Sequence, residues 1–97
     1  MMTVTKIEPL SKTRYKVYLD GQFAFTLYKG ELSRYHIVEE SVIEDDIYDS
    51  LRLIVIKRAK LRAMHLLSDM GRTESQLRTK LKQGGYAEDA VEEAIRY

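Results

Sequence analysis

The sequence contains no cysteine, which removes a disulfide framework, a thiolate zinc site and a cysteine nucleophile together. That absence fits a reducing compartment. No apolar run approaches the roughly 20 residues that span a bilayer, and the opening MMTVTKIEPL lacks the apolar core of a signal peptide. The expectation is a cytoplasmic chain with no membrane association. An excess of one charge is missing too. With 16 basic and 15 acidic residues the net charge is +1, which excludes a uniformly basic nucleic-acid coat protein and a strongly acidic chain. What is present suffices for a fold. The 97 residues are 44% hydrophobic, with seven tyrosines and two phenylalanines, too apolar for disorder and long enough for one domain or two small lobes.

Proline occurs once, at Pro9, and the five glycines fall where boundaries are needed. Before Gly30 the pattern is β. Tyr15, Val17 and Leu19 alternate with Lys16, Tyr18 and Asp20, and Phe23, Phe25 and Leu27 alternate with Ala24, Thr26 and Tyr28. Asp20-Gly21 marks the turn. A two-residue loop would pair Leu19 with Gln22 and split the apolar residues between both faces. A three-residue loop sets Val17 against Phe23 and Tyr15 against Phe25 on one face, and is the expected register. Thr3 to Glu8 adds a third strand, closed at an edge by Pro9.

After Gly30 the period becomes helical. A short helix is expected from about Glu31 to His36. Ser41-Val42-Ile43-Glu44 reads as a capping box, followed by Ile43, Ile47, Leu51, Ile54, Leu61, Met64 and Leu67 at helical spacing. Glu44, Asp45, Asp46 and Asp49 crowd the start, where the helix dipole favours negative charge. Continuous to Met70, this helix would be about 40 Å long, so it either bridges two lobes or breaks near Lys57 and Arg58. Thr73-Glu74-Ser75-Gln76 is a second capping box, ended by Gly84-Gly85. A last helix carries Ala90, Val91, Ala94 and Ile95, with Ala87 a poor cap. The expected fold class is α+β, a small three-stranded antiparallel sheet followed by a long helix and a three-helix repeat unit. Its divisions are a β lobe with a short helix at 1–42, a bridging helix at 43–58 and the three-helix unit at 59–97. Leu61, Met64, Leu67, Leu77, Leu81, Val91 and Ile95 are the expected core of the helical part.

The charge is unevenly placed. Residues 1–56 hold seven basic and nine acidic residues, 57–82 hold eight and two, and 83–97 hold one and four. The middle block, net +6, comprises Lys57, Arg58, Lys60, Arg62, Arg72, Arg78, Lys80 and Lys82 against Asp69 and Glu74. Such a block suits a phosphate backbone or an acidic protein surface, or else a solvated helix face. The acidic cluster lacks the glycine and spacing of a calcium loop, and dipole stabilisation explains it without a metal. His36 and His65 are far apart in sequence, each with a carboxylate four residues on (Glu40 and Asp69). Packing or ion pairing explains them better than metal ligation does. No nucleophile elbow, P-loop or dinucleotide fingerprint occurs. The aromatic cluster Tyr15, Tyr18, Phe23, Phe25 and Tyr28 could stack bases, but reads first as sheet core with Tyr18 and Tyr28 at its flanks. A non-enzyme with no catalytic residues, no metal and no cofactor is expected.

One stretch is more specific. Ala63-Met64-His65-Leu66-Leu67, Arg72-Thr73, Gln76-Leu77-Arg78-Thr79-Lys80-Leu81 and Gly85-Tyr86 resemble the first three-helix repeat of the RecX family. The preceding strands and the acidic-to-basic long helix are similar to the N-terminal part of its longer bacterial members. Gln76 stands where the family usually has Glu, keeping the capping geometry without the charge. The family usually carries further three-helix repeats, so a chain with one reads as a truncated member. The resemblance implies a non-enzymatic modulator of the bacterial RecA recombinase that lies along the RecA filament on single-stranded DNA. Lys57, Arg58, Arg62, Arg72, Arg78, Lys80 and Lys82 are the expected nucleic-acid or filament contacts. The rivals are a plain DNA-binding three-helix domain, with Thr73 to Gln83 as recognition helix, and a protein–protein adaptor acting through the acidic helix start.

Overall fold

The computed structural model describes residues 1–70 and 73–96; Gly71, the expected end of the long helix, and Arg72 lie outside the described residues. Strands β1 (Met2–Pro9), β2 (Arg14–Leu19) and β3 (Gln22–Tyr28) form an antiparallel meander. Short helix α1 (Lys29–Arg34) follows, then β4 (Val42–Ile43), the long α2 (Asp45–Met70), α3 (Glu74–Gln83) and α4 (Glu88–Arg96). The fold class is α+β, but the sheet has four strands, in the order β3-β2-β1-β4. The two-residue β4 pairs with Met2 and Thr3.

The expected three-residue hairpin loop does not form. Asp20 and Gly21 both take positive φ, 50° and 82°, and pair Leu19 directly with Gln22. That is the primed two-residue turn whose twist suits a hairpin. The register conflict is resolved one step later by a bulge. Tyr18 opposes Phe23 and Val17 opposes Phe25, leaving Ala24 as the extra residue. Val17, Phe25, Leu19 and Leu27 are thereby buried together. Phe23, expected beside Val17, instead stacks on Tyr18 with ring centroids 5.7 Å apart, and Lys16 and Lys6 lie over the Phe23 and Tyr18 rings.

Ser41 does not cap α2. Its hydroxyl donates to the Val38 carbonyl at 2.6 Å and accepts from the Val38 N–H, closing a turn that delivers Val42 and Ile43 to the sheet. The helix starts at Asp45 instead, with the Tyr48 N–H donating to the Glu44 carbonyl. Asp45 and Asp46 lie in its first turn, and the Asp45 carboxylate also holds the N-terminal amino group. α2 then runs unbroken through Lys57 and Arg58 for 26 residues, about 39 Å.

Which face of α2 is buried differs from the expectation. Leu51, Val55, Ala59, Ala63 and Leu66 point into the core, each less than a tenth exposed. Leu61, Met64 and Leu67, expected as core, are 53%, 51% and 46% exposed. The reason lies in the neighbours. α3 and α4 both pack along α2, and the covered face carries the small Ala59 and Ala63, both buried. Leu77, Leu81 and Val91 are buried as expected, and Ile95 is packed at the core's edge.

α3 has the expected cap. The Gln76 N–H donates to the Thr73 hydroxyl at 3.1 Å and the Thr73 N–H to the Gln76 side chain at 3.0 Å. Past the helix, Gly85 takes φ +90°. This turn is seated on the sheet, because Arg14 Nη1 donates to the Gly84 carbonyl at 2.8 Å and the Thr26 hydroxyl to the Gly85 carbonyl at 2.6 Å. One apolar cluster therefore runs from Val4 and Phe25 in the sheet to Leu81 and Ala94 in the last helices.

Candidate nucleic-acid interface

The basic block is divided by the fold into engaged and displayed cations. Arg58 turns back toward the sheet. Its guanidinium holds both oxygens of Glu31, with Nη1 to Oε1 at 2.9 Å, and lies 4.8 Å from the centre of the Tyr28 ring. Burial pushes the Glu31 carboxyl up, but the Arg58 guanidinium and the Tyr28 N–H outweigh it and hold the group below the usual carboxylate range. Arg78 is similarly forked onto Glu92 of α4, at 2.7 and 2.9 Å, and lowers that carboxyl. Both arginines tie elements together, in the planar two-pronged geometry that lysine cannot reproduce. Lys57, Arg62, Lys80 and Lys82 are exposed. Arg72 is outside the described residues.

Around Tyr86 the fold gathers cations that sequence spacing did not join. Its half-buried ring follows the turn that Arg14 and Thr26 hold. Burial raises the phenol, with Tyr28 acting in the same sense, while Arg58, Arg14 and Arg62 act against it. Arginines from β2 and α2 and tyrosines from β3 and the α3–α4 turn thus share one patch. Arg14 had no signal of its own in the sequence; only the Gly84-Gly85-Tyr86 turn marked the place it reaches. The patch offers positive charge beside flat rings, a combination suited to a sugar–phosphate strand.

A neighbouring surface is unlike it. An open groove of about 750 Å³ lies between the Asp20–Ala24 stretch and the start of α4, with Asp20, Glu88, Asp89 and Glu92 among its lining. Its carboxylates would repel phosphate. Among the described residues no group of three or more His, Asp or Glu side chains could hold a metal, and no helix is long and apolar enough to cross a membrane. His36 and His65 are both exposed.

The residues that carried the sequence resemblance now have physical reasons. Ala63, Leu77 and Leu81 are buried, Thr73 and Gln76 cap α3, and Gly85 is left-handed. Residues 59–97 match the sequence profile described as RecX, first three-helix domain. Similarity extends upstream as well. The chain is 36% identical over 96 residues to a regulatory protein RecX of Caldanaerobacter subterraneus, covering 97% of this chain and 49% of the relative. Over nearly its whole length the chain is similar to the N-terminal part and first three-helix domain of RecX proteins. A regulatory protein RecX of Clostridium acetobutylicum is 28% identical over 102 residues, covering 98% of this chain and 46% of that one. A solved structure titled as a regulatory protein RecX matches with a TM-score of 0.51 at 28% identity, over 99% of this chain and 48% of the other. The chain spans about half the length of these RecX relatives.

Proposed function

We propose that this chain takes part in regulating a bacterial RecA recombinase by docking on the RecA filament assembled on single-stranded DNA, in the cytoplasm and without chemistry of its own. The observation that carries the reading is the end-to-end similarity to the N-terminal half of RecX proteins. The geometry supports it. The fold carries a cationic and aromatic patch and, apart from it, an acidic groove, and among the described residues nothing assembles a nucleophile, a base and an oxyanion donor.

The division of the basic block sharpens the contact set. Lys57, Arg62, Lys80 and Lys82 are the cations displayed for contact, and Arg72 is carried with them from the sequence. Arg58 and Arg78 contribute chiefly by holding Glu31 and Glu92, and so by keeping the patch in shape. Charge reversal tests this. Arg62→Glu with Lys80→Glu should weaken binding to a preassembled filament at least tenfold in fluorescence anisotropy, and flatten its salt dependence. Unchanged affinity would remove these residues from the contact.

A further inference from the structure

α2 carries apolar residues on two opposite faces, and the fold covers one of them. Leu51, Val55, Ala59, Ala63 and Leu66 make the buried row. The second row, at steps of three and four, is Leu53, Lys57, Leu61, Met64 and Leu67, and every member is exposed. It extends over about 21 Å of helix. A helix that is apolar all round is ordinarily covered all round, and the described residues leave the outer row uncovered.

The charge pattern names the cover. From Ser50 to Ser68 the chain has no Asp or Glu, while it has Arg52, Lys57, Arg58, Lys60 and Arg62. The inward arginines obtain carboxylates from elsewhere in the fold, Arg52 from Asp89 and Arg58 from Glu31. Lys57 stands exposed between Leu53 and Leu61, where no acid of its own helix can reach it.

We propose that this row docks a protein partner through an apolar helix edged with acidic residues, and that the partner is the recombinase subunit of the filament. This rests on the function proposed above and divides the contact in two. The cations around Arg62 and Tyr86 meet the strand, and the outer row of α2 meets protein. A nucleic acid offers nothing complementary to three leucines and a methionine. A second copy of this chain would bring Lys57 against the same acid-free face, a like-charge juxtaposition that disfavours pairing. An acid-edged helix satisfies both features of the row, its apolar anchors filling the partner's groove and its carboxylates meeting Lys57.

The test compares the wild-type chain, Leu61→Glu/Met64→Glu and Lys57→Glu in anisotropy titrations with RecA filament and with the bare single strand. All three residues are exposed, so circular dichroism and melting should match the wild type. The double variant should bind filament at least tenfold more weakly with unchanged affinity for the bare strand, and Lys57→Glu should bind filament severalfold more weakly. Filament binding equal to wild type in both variants would overturn the assignment while leaving the proposed function standing. Equal losses on filament and bare strand in the double variant would overturn it too, by placing the row on nucleic acid. A wild-type dimer in sedimentation that the double variant abolishes, or row-dependent binding to anionic vesicles, would replace the occupant. A wild-type chain that ignores the filament would overturn the proposed function first, and this assignment with it.

Discussion

Arg58 of α2 grips both carboxylate oxygens of Glu31 in α1 while its guanidinium covers the ring of Tyr28. Arg58 lies 27 residues beyond Glu31, and the contact fixes the end of the sheet against the middle of the long helix. Arg58→Ala should cost about 1–2 kcal/mol in urea unfolding, because it strands a half-buried carboxylate. Arg58→Lys should restore only part of it, since an ammonium cannot hold both oxygens and lie flat on the ring. A double-mutant cycle with Glu31→Gln should show coupling. Additive losses would mean the pair is incidental.

Acid should loosen the same contact. The Glu31 and Glu92 carboxyls are both held below their ordinary value in the folded chain. The unfolded chain therefore takes up protons first as pH falls below about 4.3, the usual glutamate value. The stability these pairs contribute is complete above that pH and is lost as the pH drops through the folded values. Thermal melts from pH 6 to pH 3 should show a falling Tm, with a shallower fall in Glu31→Gln. An identical slope in that variant would remove Glu31 from the cause.

Two adjacent leucines should behave oppositely. Leu66 is 3% exposed and Leu67 nearly half exposed. Leu66→Ala should cost about 2–4 kcal/mol, the range for truncating a buried leucine. Leu67→Ala should stay within about 0.5 kcal/mol. Urea melts of the two variants check this, and the reverse order would place the core on the other face of α2.

Gly85→Ala should destabilise by about 1–3 kcal/mol. The position has φ +90°, and an added Cβ would lie 2.5 Å from Leu10 Cδ2 and 3.3 Å from Thr26 Oγ1. Gly84→Ala is the control. Its φ is −74° and its nearest contact would be 3.4 Å, so the change should be small. Equal melting temperatures for the two variants would show that the turn is not seated on the sheet as described.

Much of this was legible from local chemistry. Thr73 and Gln76 cap α3 through the two reciprocal bonds that their types and spacing call for. Asp20-Gly21 turned the hairpin, and Gly85 ended α3. The misreadings arose where two local solutions compete and distant neighbours decide. Leu61, Met64 and Leu67 have sound helical spacing, but so do Ala59, Ala63 and Leu66, and only the elements packed on α2 decide which row is covered. A bulge at Ala24 rescued the turn length that simple alternation rejects. Ser41 and Glu44 have capping spacing, yet Val42 and Ile43 gain more as a fourth strand beside Met2 and Thr3. The candidate interface was half visible. The basic block was plain in the sequence, but not that Arg58 and Arg78 turn inward or that Arg14 reaches the Tyr86 turn.

The central claim is that the chain recognises a recombinase filament rather than bare nucleic acid. The most direct measurement titrates the labelled chain with preassembled RecA filament, bare single strand and bare duplex at two salt concentrations. The account predicts tightest binding to the filament, with a salt slope no steeper than about −3.5, the value for roughly five neutralised single-strand phosphates. Binding to bare duplex as tight as to filament would contradict it and make this a simple DNA-binding domain.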